Sequence, residues 1–150
     1  MGMVLMAGDH PRHSFIARCL AKTNLLSGLI IERREAFVPK PPDGLNDRTK
    51  ELFIRHFATR ASTEERFFSS AELPYVETLV VEQSELNAAP VRKFLDRVRP
   101  ELLMSYGVHK LNEDTLARIE GKRWNIHGGL SPWYRGAITH FGPAVCSSRR

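Results

Sequence analysis

Asn125 and His127 stand two residues apart in "RWNIHGGLSPWYRG", and their types and spacing suit acyl chemistry. On an extended strand, residues two apart project to the same side. An amide and an imidazole would therefore converge at the strand end. The amide can donate to negative charge developing on an oxygen. The imidazole donates when protonated and carries a proton when neutral. The glycines that follow let main chain approach a ligand closely. On these two residues alone, an Asn and a His that merely fix a loop are the commoner arrangement. Trp133, Tyr134 and Arg135 in the same loop either stack on a ligand ring or pack the loop down.

The other candidates carry less signal. In "AGDHPRH", His10 and His13 are three apart with Asp9 beside them, but no second His or Cys cluster accompanies them. No metal site is therefore expected. The stretch also lacks the glycine pattern of a dinucleotide loop. Gly8, Arg12 and His13 sit where a helix start could meet a phosphate of a substrate; capping or surface roles are commoner for the two side chains. Cys19 falls on an apolar helix stripe and is expected in the core. Cys146 has no base near it in sequence.

These residues need a scaffold, and the chain alternates between two periodicities. "MVLMAG" predicts a buried strand from Met3 to Ala7. Phe15, Ile16, Cys19 and Leu20 recur at helical spacing, which predicts a helix from His13 to Lys22 packed on a sheet. A second strand follows from Gly28 to Glu32. Three prolines and a glycine then mark a loop. A long amphipathic helix comes next, capped by Asn46 or Asp47, with Leu52, Phe53, His56, Phe57 and Phe67 on its apolar face. This helical insertion, about residues 37–74, is expected to pack rather than to act as a lid. The alternation resumes with a strand from Thr78 to Val81. A helix capped by Asn87 follows, with Val91, Phe94, Leu95 and Val98 inward. Then come a strand from Glu101 to Tyr106, a short helix capped by Asn112 and ended by Gly121, and the strand "RWNIH". Strands alternating with helices predict an α/β domain, a mostly parallel sheet with helices on both faces. In such sheets ligands bind beyond the carboxyl ends of the strands. "GDHPRH", "YGVHK" and "HGGLSPWYRG" all fall there.

Composition agrees with one ordinary domain of 150 residues, 42% hydrophobic and 26% charged. Two cysteines make no disulfide framework, so a reducing, cytoplasmic setting is expected. No leader or membrane span is expected, the first apolar run being too short. Lys and Arg number 22 against 17 Asp and Glu, for a net charge of +5. The basic residues are scattered and form no arm. A solvated basic surface fits better than a nucleic-acid partner, and an anionic small substrate fits nearly as well as nucleic acid.

The segment from Pro100 to Phe141 resembles the folate-dependent formyltransferase family. The matching elements, in order, are "YG", a short helix, "NIH", "GLSP" and "YRG". The resemblance implies the family's Rossmann-like fold, 10-formyltetrahydrofolate as formyl donor and an amine as acceptor. It implies that Asn125 and His127 are the catalytic pair, stabilising the oxyanion of a tetrahedral intermediate and assisting proton transfer. It implies that Tyr106, Gly107, Val108 and His109 form the turn that contacts the pterin, mostly through backbone groups. A small, sugar-nucleotide-like amine is the expected acceptor, with no metal and no membrane partner; a homodimer is compatible with this. Two departures stand out. The loop reads "GGLSP" where the family has Ser-Leu-Leu-Pro, and no Asp follows Asp114, whereas the family carries a catalytic Asp beyond its His. The expectation is a fold incomplete at its C-terminal end, with residues 1–150 inactive by themselves. A reading from another class is a non-catalytic module that keeps the fold and binds a nucleotide or a protein.

Overall fold

The computed structural model describes residues 2–34, 38–68 and 72–127. Five strands form one all-parallel sheet in the order β3-β2-β1-β4-β5. They are β1 (Met3–Gly8), β2 (Leu26–Glu32), β3 (Thr78–Val81), β4 (Leu102–Tyr106) and β5 (Lys122–Ile126). The helices are α1 (Pro11–Ala21), α2 (Asp47–Phe68), α3 (Ala89–Val98) and α4 (Glu113–Leu116), with a 3₁₀ turn over Gln83–Glu85. The α/β reading of the sequence stands at this level: a parallel sheet with helices on both faces.

The strand order reverses at β1. The chain steps outward through β2 and β3, then returns to the far side of β1 for β4 and β5. One face of the sheet, Leu5, Ala7, Leu29 and Ile31, is covered by α1 through Ala17, with Ile16 and Leu20 partly buried. The other face, Val4, Met6, Ile30 and Leu103, is covered by α3 through Val91, Phe94 and Leu95. Gly28 lets α3 approach closely, since a Cβ there would lie 2.9 Å from the Phe94 ring.

Expectations for each of the four helices are corrected. In α1 the stripe facing the sheet is His13, Ala17, Ile16 and Leu20; Phe15 instead turns to α2, its ring 5.2 Å from that of Phe68, and Cys19 is only half-buried. The four apolar residues fit two neighbouring stripes, and spacing alone does not choose between them. In α2 the anticipated apolar face is only partly covered: Phe53 and Phe57 are half-buried, whereas Leu52 is 46% and Phe67 66% exposed. This helix is the crossover between β2 and β3 and packs on α1. One Arg12 nitrogen donates to both Glu64 oxygens at 2.9 and 3.0 Å. Arg18 donates to the Phe68 carbonyl at 2.8 Å, at the α2 C-terminus where carbonyls lack helical partners. Because α2 sits on α1 and not over β3, Val80 is left 47% exposed. In α3 the N-cap is Ala88, not Asn87. The Asn87 side chain donates to Lys110 O at 3.0 Å and accepts from Asn112 N–H at 2.8 Å, which straps the loop after β4. The caps expected at Asn46 and Asn112 are made, to Thr49 N–H at 2.8 Å and Thr115 N–H at 2.9 Å. The last short helix stops at Leu116, well before Gly121.

Gly121 brings β5 alongside β4. A Cβ at Gly121 would stand 2.0 Å from the Glu101 carbonyl oxygen, and the next residue donates Lys122 N–H to that same oxygen at 2.9 Å. Backbone cannot swing aside as a side chain can, so Gly121→Ala is expected to destabilise the fold by about 2 kcal/mol. Urea denaturation measures this; a loss below about 0.5 kcal/mol would show that the β4–β5 entry adjusts freely.

Candidate active site

Parallel pairing puts Gly8, Glu32, Tyr106 and Ile126 at one edge of the sheet. The loops carrying the sequence-selected residues therefore share that edge, and His127 follows directly after Ile126. The crevice of such a fold lies where the strand order reverses, between the ends of β1 and β4.

His13 fills the floor of that crevice. It is 1% exposed. Its ring meets Tyr106 edge-on, centroids 4.6 Å apart, and stacks with the His10 ring at 5.4 Å. A Cβ at Gly8 would lie 2.7 Å from Nδ1, and one at Gly107 2.5 Å from Nε2. The imidazole is held between two glycines because nothing larger fits, and Gly107 also has φ +68, a left-handed conformation that glycine adopts without strain. Among the described residues neither ring nitrogen makes a well-formed hydrogen bond, and the Gly8 backbone interacts with the ring weakly. Burial, with Arg12, His10 and Arg34 nearby, holds the His13 pKa down at about 3. The ring is therefore neutral throughout the physiological range.

Above it lies a cluster built on Glu32, whose side chain is fully buried. Glu32 ends β2 and is in register with Gly8 of β1, yet its carboxylate reaches the loop after β4. His109 donates its backbone N–H to Glu32 Oε2 at 2.8 Å and its ring Nδ1–H to Oε1 at 2.5 Å. The Arg34 guanidinium touches the same ring edge, 3.2 Å from His109 Nε2 and 3.6 Å from Glu32 Oε1. The same Arg34 nitrogen stands closest to His109 Nδ1, so guanidinium, carboxylate and ring edge form one compact cluster. The Arg34 backbone N–H in turn donates to Asp9 Oδ1 at 3.1 Å. Gly8 makes the crossing possible, since a Cβ there would lie 2.9 Å from Arg34 Cγ.

On the other side of β4, Asn125 is in register with Ser105. Ser105 Oγ lies 2.9 Å from Asn125 Oδ1, and with the hydroxyl donating, the amide nitrogen makes no hydrogen bond among the described residues. Asn125 and His127 are both exposed.

The sequence-selected residues thus meet at one edge in different conditions. Gly8, Arg12 and His13 converge below the crevice, but Arg12 is bound to Glu64, and His13 and Gly8 are packed against each other. The turn from Tyr106 to His109 is held residue by residue: Tyr106 and Gly107 on His13, Val108 against the core, His109 on Glu32. Asn125 and His127 border the open side. Sequence reasoning passed over Glu32, Arg34 and Ser105. Glu32 and Arg34 read as the charged end of a strand, and only the register shows Ser105 beside Asn125. The loop from Gly128 to Gly136, with Trp133, Tyr134 and Arg135, and also Cys146, lie outside the described residues. Among the described residues no group of three or more His, Cys, Asp or Glu side chains could hold a metal, and no helix is long and apolar enough to cross a membrane.

A depression of about 1000 Å³ lies at the opposite edge, lined by Asp96, Arg99, Glu101, Arg118 and Lys122 among others. Its charges answer each other, Arg118 standing 3.7 Å from Asp96, and it faces the amino ends of β4 and β5. It offers no convergent polar groups comparable with the other edge. Compared with protein-family models and with curated proteins, the chain matches none.

The buried neutral His13 makes stability depend on pH. Its folded pKa of about 3 lies below the unfolded value of 6.5, so protonation favours the unfolded chain. The contribution is complete above about pH 6.5 and is lost as pH falls toward 3. Between pH 6.5 and 5 the wild type is expected to lose about 1.5 kcal/mol more stability than His13→Leu. Denaturant midpoints across that range test this; parallel curves for the two proteins would contradict it.

Proposed function

We propose that this edge of the sheet transfers a formyl group from 10-formyltetrahydrofolate to an amine of a small acceptor, a sugar-nucleotide amine being the preferred class. The single observation that carries the reading is the Ser105–Asn125 hydrogen bond of 2.9 Å, which fixes an amide at the end of β5 with its N–H groups unengaged among the described residues. An amide donor at that position suits an oxyanion. When an amine attacks the formyl carbon, the carbonyl π electrons move to oxygen, and Asn125 Nδ2–H would donate to it. His127 lies two residues on and would take the proton that the amine gives up. It would return that proton to the folate nitrogen as the carbon–nitrogen bond breaks. Atoms and protons balance, with His127 neutral before and after.

The Tyr106–His109 turn supports the donor assignment independently. Its three side chains, Tyr106, Val108 and His109, are occupied by the protein itself, so its main chain, apart from the His109 N–H taken by Glu32, is what it offers to a ligand. That agrees with a pterin read through backbone groups, which the resemblance implies. The same edge in a non-catalytic module would still bind a ligand but would not need Asn125.

In a form of the protein that carries a carboxylate partner for His127, Asn125→Ala is expected to lower formyl transfer about 10²–10³-fold at saturating donor and acceptor, while the fold persists. Asn125 is exposed on an edge strand, so its loss creates no cavity. Single-turnover release of tetrahydrofolate, measured against an amine series, provides the test. Equal rates for variant and wild type would reject the role, and binding without any transfer would favour the module.

A further inference from the structure

We propose that Glu32 is a positioning residue for the formyl donor: through His109 it fixes the turn from Tyr106 to His109 in the conformation that receives the folate. This rests on the function proposed above. The carboxylate is fully buried and lies on a different strand from the turn, with β1 between them. It takes two N–H groups from one residue, the backbone N–H at 2.8 Å and Nδ1–H at 2.5 Å. Two bonds from one residue to one rigid acceptor fix both the position and the orientation of that residue. The His109 ring is thereby a strut and not a base: Nδ1 is held by Glu32 and met by the Arg34 guanidinium, which also stands 3.2 Å from Nε2. The far end of the loop is tied as well, by Asn87 to Lys110 and Asn112. Between these ties, Gly107 takes its left-handed conformation against His13. A ligand read by main chain depends on where that main chain is held. Removing the strut therefore weakens donor binding although the strut itself touches no ligand.

The test is isothermal titration of the 150-residue chain with the stable donor analogue 10-formyl-5,8-dideazafolate. His109→Ala keeps the backbone N–H but loses the ring donor, and is expected to raise the dissociation constant about tenfold. His109→Asn places an amide N–H where Nδ1–H stood, and is expected to recover binding to within about twofold of wild type. Both variants remove the imidazole, and the difference between them reports what the amide restores toward Glu32 and Arg34. Glu32→Gln, whose side-chain oxygen is its only acceptor for the two N–H groups, is expected to weaken binding as His109→Ala does. A wild-type chain that binds the analogue while His109→Ala binds equally well, or while His109→Asn stays as weak as His109→Ala, overturns the positioning role and leaves the donor assignment standing. A wild-type chain that does not bind the analogue overturns the donor assignment, and the positioning role with it.

Discussion

Because all five strands run parallel, every connection must cross back over the sheet, and every strand delivers its carboxyl end to the same edge. The polar residues of this chain depend on that constraint. Asp9, Arg34, His109 and His127 each follow a strand by only a few residues, so the topology gathers them without any long-range sequence signal. The reversal of order at β1 opens the gap between the β1 and β4 loops, and the two are bridged there by side chains from α1 and β2.

The bridge explains otherwise arbitrary residues. A carboxylate excluded from water is costly unless its oxygens are hydrogen-bonded and its charge is balanced. Glu32 meets both conditions through His109 and Arg34, but only by reaching across β1. Gly8 must then carry no side chain, and Gly107 must turn in the left-handed region against His13. The loops after β1, β2 and β4 become one interlocked unit. The end of β5 is different. Among the described residues the Asn125 side chain is bonded to Ser105, its neighbour in the sheet, and it faces solvent.

The sheet was legible because buried parallel strands are apolar runs, and β1 and β4 differ from their expected spans by one residue at one end. Helix faces were less so. The α1 apolar residues suit two stripes, and the choice was made by α2, whose docking on α1 no local pattern records. Asn87 looked like a cap because Asn in front of a helix usually is one. Its partners lie 23 and 25 residues away, beyond the reach of local reasoning. The site was legible in part for the same reason. Asn125 and His127 announced themselves by type and spacing, whereas Glu32 and Ser105 matter through pairings between strands, which only register reveals.

The central claim is that the carboxyl edge beside β4 and β5 receives a folate formyl donor. Backbone amide shifts followed by NMR as 10-formyl-5,8-dideazafolate is added test it most directly. Saturable shifts concentrated at Gly107, Val108, His109, Asn125 and His127 are expected. Shifts centred on Arg99, Glu101 and Lys122 at the opposite edge, or no saturable shifts at all, would contradict it.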